Sequence, residues 1–355
     1  MAPVNMASTQ VAQRHSRFSV SVSLASSIAV ASMVLQIPAA LAREPGAADN
    51  FAPGSSVNMP VGSIPPPGIS IVNYFASVWG PEVDALGNNA GYDVSSKSYV
   101  MQLWWNPGVK VLGADYGAFV LQPFVDVTIN NHFSRTIAKQ GTTEQFGAAN
   151  TVFKPVNLSW NLAPHLYFSL AAGFYAPDGS YTMPINTPSS FKINIGNNFW
   201  TFEPEFGLSY WDAGPNGYNI TLHGLYDTNS TNPTTGYRSG DQIFLDFTAT
   251  KALGGINVGF VGYYTKQVTA DEDFNHFYQP AGLPLSTDTI NVTSTPERLG
   301  IGATIGGKIG LALIDISYMK DVVAVDDIKA STILLHVTFN DLFSPAQTRP
   351  VPAIH

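Results

Sequence analysis

The sequence predicts an all-β fold, an up-and-down antiparallel transmembrane β-barrel of about twelve strands. Three observations predict it. Charged residues make up only 12% of the 355 residues and aromatic residues another 12%, a composition that suits an apolar surface facing something other than water. Apolar and polar residues alternate with period two in long runs. Long and short connections alternate along the chain, as they do in outer-membrane barrels.

Residues 1–42 are predicted to be a cleaved signal peptide. Two arginines precede an uncharged apolar run over 18–37, and the small residues of 40–42 (Ala-Leu-Ala) suit a signal peptidase. The alternative is a retained membrane anchor, because about 20 apolar residues can span a bilayer. Removing Arg14 and Arg17 takes the net charge from −8 to −10, and an acidic chain argues against nucleic-acid binding.

The mature chain divides into three parts. Residues 43–66 are rich in Pro, Gly, Ala and Ser and are predicted to form a flexible periplasmic arm or a partial plug. Residues 67–340 are predicted to form the barrel, and 341–355 a C-terminal tail. The predicted strands lie at 68–79, 97–105, 115–130, 151–162, 165–175, 197–211, 216–227, 240–252, 255–268, 296–306, 309–320 and 328–339.

Each of the best-patterned strands has one apolar and one polar face. The sixth carries Trp200, Phe202, Phe206, Leu208 and Tyr210 against Thr201, Glu203, Glu205 and Ser209. A soluble sandwich would turn such apolar faces inward. The long strands favour a barrel instead, because a bilayer needs about 9–11 tilted residues whereas soluble strands average about 5–6. Apolar faces are therefore predicted to meet lipid, and polar faces to line the lumen.

The connections have a regular alternation of length. Those after odd-numbered strands are predicted to be long: 80–96, 131–150, 176–196, 228–239 and 269–295, with a shorter last one at 321–327. Those after even-numbered strands are shorter: 106–114, 163–164, 212–215, 253–254 and 307–308. Outer-membrane barrels have long external loops and short periplasmic turns. Proline residues inside the third and sixth strands, Pro123 and Pro204, predict bulges because proline lacks the N–H that a ladder needs.

Several long strings in the sequence are similar to a known bacterial family. They are PPPGISIVNYF (65–75), PVNLSWN (155–161), FYAPDGSY (174–181), NIGNNFWTFEPEFGLSYW (194–211), GYRSGDQIFLDF (236–247) and VGFVGYYTKQVTADED (258–273). In these strings the chain resembles the family named after the meta-pathway of phenol degradation. The resemblance implies an outer-membrane barrel with a role in the uptake of aromatic or other hydrophobic compounds, and it brings no catalytic residues.

Polar residues on the predicted lumen faces are the candidates for the solute path. Glu203 and Glu205 share one face and suggest an acid/base pair or a cation-selective constriction. The alternative is a lumen wall braced by Arg or Lys from a neighbouring strand. His223 and Asp246 lie on the next two strands, and with a nearby Ser or Thr they would suggest a hydrolase. A simple polar lining is the alternative, because no GxSxG, HExxH or GxxxxGK[ST] motif occurs.

Four further residues complete the candidate set. Arg238 is predicted either to meet an anionic substrate at the external mouth or to pin a loop through a salt bridge with Asp227 or Asp241. Three aromatic residues are predicted to offer apolar contacts on an otherwise polar wall: Phe124, Phe244 and Tyr263.

These features predict a porin-like outer-membrane transporter for small aromatic or hydrophobic solutes, and not an enzyme. No cofactor or metal is predicted, and the absence of cysteine excludes thiolate sites. The predicted partners are small solutes, outer-membrane lipid and the barrel-assembly machinery. The alternatives are a non-conducting structural or adhesive barrel and a barrel-embedded hydrolase.

Overall fold

Twelve long β-strands make up most of the protein. The computed structural model describes residues 44, 49–132, 141–182, 193–275, 277 and 295–340, all within the compact unit Pro38–His355. The predicted signal peptide and C-terminal tail lie outside these described residues. The strands are β1 Gly68–Val83, β2 Asn89–Asn106, β3 Ala114–Asn131, β4 Val152–Ala163, β5 Leu166–Tyr175, β6 Thr201–Trp211, β7 Tyr218–Asn229, β8 Gln242–Leu253, β9 Ile256–Gln267, β10 Glu297–Ile309, β11 Ala312–Val325 and β12 Ser331–Phe339. In the described part of the chain, no helix is long and apolar enough to cross a membrane.

The twelve strands close into a barrel. Each pairs antiparallel with the next, and β1 pairs with β12 as well as with β2. Tyr74 of β1, for example, lies opposite Val100 of β2 and His336 of β12. A closed sheet pairs backbone N–H and C=O groups between neighbouring strands and leaves no exposed edge. The predicted fold class, an up-and-down barrel of twelve strands, is confirmed.

The two ends of the barrel differ in their connections. Residues 84–88, 132–151, 176–200, 230–241, 268–296 and 326–330 connect strands at one end, which we call the loop end. Residues 107–113, 164–165, 212–217, 254–255 and 310–311 connect strands at the other, the turn end. In bacterial outer-membrane barrels the long loops are external and the short turns periplasmic. The loop end is therefore the extracellular end.

The prediction of a long first connection is wrong. β1 continues to Val83 and β2 begins at Asn89, so only 84–88 connect them. Asp84 closes this turn by accepting hydrogen bonds from the N–H groups of Leu86 (2.9 Å) and Asn88 (2.8 Å). The backbone N–H of Asn88 lowers the pKa of the Asp84 carboxyl. The Gly, Pro and Asn residues of 80–91 are typical of a loop. In the structure, however, β1 and β2 stay paired here and form a hairpin that extends beyond the neighbouring strands.

Bulges occur beside Pro155 and not at the two proline residues for which they were predicted. Pro204 keeps its register with β5, and the ladder to β7 is interrupted only between Phe202 and Glu205. Pro123 marks the point where β3 exchanges β4 for the additional strand Gly141–Ala148 as its partner. The β4–β5 register shifts between Phe153 and Val156. A missing N–H thus interrupts pairing at Pro123 and Pro204, whereas beside Pro155 it coincides with a change of register.

The two faces of the wall have the predicted polarity over most of the barrel. In β6, the buried residues include Thr201, Glu203 and Ser209, and the exposed ones are Phe202, Phe206, Leu208 and Tyr210, with Trp200 exposed just before the strand. β7 repeats the pattern, with Ile220 and Leu222 exposed and Thr221 and His223 buried. Large apolar side chains exposed on a closed barrel form the surface that hydrocarbon covers.

Candidate functional site: the lumen and its arm

Residues 49–66, which we call the arm, run along the inside of the barrel. At the loop end, Asn50 Nδ2 donates to Thr201 Oγ1 (2.7 Å), and Gln242 Nε2 donates to Asp49 (2.8 Å). At the turn end, Asn106 Nδ2 donates to the carbonyl oxygen of Pro65 (2.8 Å). The arm therefore spans the lumen from one end to the other. It forms hydrogen bonds with polar wall side chains that water would contact in an empty channel.

The turn-end half of the arm lies directly on the barrel wall. Gly62 N–H donates to Ser209 Oγ (2.9 Å), and the Gly62 carbonyl accepts from Ser159 Oγ (2.7 Å). Ser169 Oγ donates to the carbonyl of Val61 (2.8 Å). A Cβ at position 62 would lie 2.7 Å from the backbone nitrogen of Ser209. Glycine is required here because the arm and strand backbones approach each other so closely.

The middle of the arm is fixed to Asp246 and His223, two of the predicted site residues. Asp246 accepts hydrogen bonds from the N–H of Gly54 and the N–H of Ser56, each 2.9 Å long. The Ser56 hydroxyl lies 2.8 Å from Asp246 Oδ2 and 2.8 Å from His223 Nδ1. Phe51 packs against His223 and Phe244, with ring centroids 6.2 and 5.3 Å apart. These wall residues therefore bind the arm.

Glu203 and Glu205 share a buried cation. Lys154 of β4 lies 2.7 Å from Glu203 Oε1 and also forms an ion pair with Glu205. Tyr175 donates a hydrogen bond to Glu203 (2.9 Å), and His223 Nε2 lies 3.2 Å from Glu205. The arrangement matches the alternative of a wall braced by a cation from a neighbouring strand. Lys154 is 4% exposed and Glu203 is fully buried, so this cluster is screened little by salt.

Lys154 is absent from the residues that the sequence singled out. Period two places it on the same face as Val156 and Leu158, the apolar outer face of β4. The register shift beside Pro155 reverses the alternation, so Lys154 points inward while Val156 stays exposed. The Lys-Pro pair inside an otherwise regular strand was the one indication in the sequence that the two faces exchange there.

Two of the three aromatic candidates, Phe244 and Tyr263, lie inside the barrel, and Phe124 does not. Phe244 is fully buried inside the barrel. Tyr263 is 1% exposed, donates a hydrogen bond to Asp321 and accepts one from Arg298 (2.8 Å). Phe124 is not a lumen residue: it is 39% exposed, and its neighbours Pro123 and Val125 line the cavity instead. That prediction is corrected because β3 carries apolar residues on both faces, so alternation could not decide which face is inward.

Arg238 lies in the loop between β7 and β8. Tyr237 and Arg238 form a short strand that pairs with Glu272–Asp273 of the loop after β9. The guanidinium lies 3.2 Å from Glu272 and 3.5 Å from Asp241, and its Nε donates to the carbonyl of Asn229 (2.9 Å). Of the two predicted roles, these contacts are those of a residue that ties two outer loops together.

An elongated cavity of about 840 Å³ lies inside the barrel beside the arm. Part of its wall is polar and includes Lys154, Glu205 and His223. The inner faces of β1–β3 contribute a different surface, which we call the apolar wall: Val72, Ala76, Val78, Val94, Val100, Leu121, Val125, Val127 and Ile129. Apart from three aromatic residues, the lumen wall was predicted to be polar, and the structure corrects this for β1–β3. Among the described residues, no group of three or more His, Asp or Glu side chains could hold a metal ion.

The closed barrel with its apolar exterior defines a class: the protein is a bacterial outer-membrane β-barrel with a chain segment inside its lumen. The chain belongs to the family described as "Putative MetA-pathway of phenol degradation", which matches residues 38–320. No curated protein matches the chain.

The chain is similar to solved outer-membrane structures at low sequence identity. An outer-membrane channel from Pseudomonas putida F1 has a TM-score of 0.59 at 11% identity, over 77% of this chain and 96% of that chain. The β domain of the Bordetella autotransporter BrkA has a TM-score of 0.44 at 12% identity, over 78% of this chain and all of that one. At 11% identity the likeness to the channel is one of fold.

Proposed function

We propose that this protein is an outer-membrane channel that admits small aromatic or hydrophobic solutes, and that its arm is a plug. The observation that carries the proposal is the apolar wall beside the arm. A channel for ions or sugars would have little use for nine aliphatic side chains facing inward. The family description, with its phenol-degradation pathway, points to the same class of solute.

The cavity has a suitable size for such a solute. Small-molecule sites have volumes of roughly 300–1,000 Å³ and combine apolar walls with a few polar groups, and this cavity measures about 840 Å³. Burying apolar surface contributes about 25 cal/mol per Å², which favours entry of an aromatic ring over hydrated solutes. The polar groups that line the same cavity include Gln102 and Lys154, which suit a hydroxyl or carboxyl substituent on the ring.

The arm is attached mainly to the side away from the apolar wall. Its hydrogen bonds reach residues of β4–β8 and β11, including Ser159, Ser209, Asp246 and Asp315. Towards β1 and β2 it makes the contacts of Tyr74 with Met59 and of Asn106 with Pro65. A solute moving along the apolar wall would therefore disturb few of the hydrogen bonds that hold the arm.

Uptake by whole cells tests the proposal. A deletion strain and its complemented counterpart are given a labelled aromatic substrate at limiting concentration, and faster uptake by the complemented strain is expected. Val127→Gln places an amide on the apolar wall and should lower uptake several-fold. Thr128→Gln, one residue away on the opposite face of β3, is the matched control and should leave uptake unchanged. Equal uptake by deletion and complemented strains would reject the channel in favour of a structural or adhesive barrel.

A barrel hydrolase is the second candidate, because Ser56, His223 and Glu205 form a continuous chain of contacts of 2.8 and 3.2 Å. A serine nucleophile also needs a free hydroxyl and N–H groups directed at an oxyanion. Here the Ser56 hydroxyl also contacts Asp246, and the adjacent N–H groups of Gly54 and Ser56 donate to the same carboxylate. Ester hydrolysis by the purified protein that disappears in Ser56→Ala would favour the enzyme over the channel.

A further inference from the structure

Glu44 is bound within the loop that connects β7 to β8. Both oxygens of its carboxylate accept hydrogen bonds from Asn232 Nδ2 (3.0 and 2.9 Å), and one also accepts from Thr235 Oγ1 (2.7 Å). The Glu44 N–H donates to Ser239 Oγ (3.2 Å). Glu44 is only 4% exposed, and Asn232 and Thr235 are fully buried. These three loop residues, Asn232, Thr235 and Ser239, form what we call the carboxylate cradle.

The cradle belongs to an ordered part of the outer loops. Asn232 N–H donates to the carbonyl of Tyr237, and Gly236 N–H donates to that of Asn232, each at 2.8 Å. The phenol of Tyr237 donates to Asp271 of the neighbouring long loop (2.5 Å). Burial raises the pKa of Tyr237 well above its ordinary value, so the phenol keeps its proton and this contact. The cradle is therefore held by contacts within the outer loops as well as by Glu44.

The cradle lies at the loop end, the extracellular end, because residues 230–241 connect β7 to β8 there. The path of the arm agrees with this placement. Asn50 contacts Thr201 at the loop end, Ser56 contacts Asp246 in the middle, and Pro65 contacts Asn106 at the turn end. Glu44 therefore lies at the loop end, and residues 49–66 pass through the lumen towards the periplasm before β1 begins.

We propose that the carboxylate cradle is a binding site for the carboxylate of Glu44, and that it holds the beginning of the mature chain at the extracellular face of the barrel. The segment before β1 is then fastened at both ends of the lumen. With the predicted cleavage after Ala42, the mature chain would then begin at the extracellular face, although export delivers it from the periplasmic side. The inference concerns the position of the arm and does not depend on which solute passes.

An epitope inserted between Arg43 and Glu44 tests which side the arm begins on. Antibody binding to intact cells is compared with the same epitope in 84–88, at the loop end, and in 310–311, at the turn end. We expect the Arg43 epitope to give a signal within about twofold of the 84–88 control and at least tenfold above the 310–311 control. A signal at the 310–311 level, with the epitope present in a denaturing blot, overturns the proposal.

Cross-linking tests the cradle itself, and the chain has no cysteine to interfere. Oxidation of Glu44→Cys/Ser239→Cys in intact cells should link most of the protein through one intrachain disulfide, which mass spectrometry of the linked peptides identifies. The matched pair Glu44→Cys/Leu311→Cys, with the second cysteine at the turn end, should stay reduced. Cross-linking to position 311, or to neither position, rejects the cradle as the site that holds Glu44.

Discussion

Ser56 and Asp246 are 190 residues apart in the chain and are joined by two hydrogen bonds, one from the Ser56 N–H (2.9 Å) and one from its hydroxyl (2.8 Å). Ser56 belongs to the arm and Asp246 to the inner face of β8. Gly54 N–H adds a third bond to the same carboxylate. Hydrogen bonds to a charged group contribute about 1.5–3 kcal/mol each, so this carboxylate is a principal attachment of the arm to the wall.

Replacing Asp246 should therefore loosen the arm. Asp246→Ala removes the acceptor of three hydrogen bonds, and we expect more frequent and larger openings in single-channel recordings than for the unaltered protein. Asp126→Ala is the control, because Asp126 lies on the exposed outer face of β3. Identical current traces for the unaltered protein and Asp246→Ala would show that this carboxylate does not restrain the arm.

A substitution at Gly54 is a second way to displace the arm. A Cβ at this position would lie 2.7 Å from Met319 Cε and 2.8 Å from Tyr263 Cδ1. Gly54→Ala should therefore increase the rate of liposome swelling in small solutes. Gly113→Ala is a matched control, because Gly113 has the same φ of +81° and nothing within 4 Å of its Cβ position. Both variants bear a backbone cost of about 1–2 kcal/mol, so a swelling rate raised equally in both would point to backbone strain and not to the arm.

Lys154 should be among the most important single residues for stability. Lys154→Met leaves Glu203 and Glu205 buried without their shared cation, and breaking a buried ion pair costs about 3–5 kcal/mol. The expected result is a lower temperature for the heat-induced shift from folded to unfolded mobility in gels. Lys110→Met is the control, since the Lys110–Asp115 pair is more than half exposed on both sides and should contribute about 0–1 kcal/mol. Equal temperatures for the two variants would contradict the assigned role of the cluster.

The outer face predicts a lipid-dependent effect. Phe260, on the outer face of β9, is 73% exposed, and a lysine on the lipid face near the bilayer midplane costs about 2–4 kcal/mol. Phe260→Lys should lower the free energy of unfolding measured by denaturant titration in lipid vesicles. Leu86→Lys, in the exposed first connection, should change it little. A small effect at both positions would place Phe260 outside the hydrocarbon.

The sequence was sufficient for the barrel because strand periodicity is a local property. The alternation of Phe206 and Leu208 with Glu205 and Ser209 can be recognised from a few consecutive residues. In a barrel the apolar face must then meet lipid and the polar face must line the lumen. The interior could not be predicted in the same way. The contact of Ser56 with Asp246 and the contact of Glu44 with Asn232 join segments far apart in the chain, and nothing in residues 43–66 indicates which wall residues they meet.

A register shift in β4 and a strand with two apolar faces, β3, explain why the predicted orientations of Lys154 and Phe124 differ from the structure. The register shift beside Pro155 turned Lys154 inward, and one such shift exchanges the two faces of a strand. On β3, Val120 and Phe124 face outward while Leu121 and Val125 face inward. Alternation carries no information where both faces are apolar, so neither the apolar wall nor the position of Phe124 followed from the pattern.

The position of the arm in the chain imposes an order on biogenesis. Residues 49–66 are synthesised before every strand that they contact, and the seam between β1 and β12 joins the first strand to the last. If the barrel closed before the arm was inside, the arm would have to enter the lumen afterwards through one end of the barrel. If the strands curl around a segment that is already in place, the sealing of the cylinder and the filling of its interior become one event.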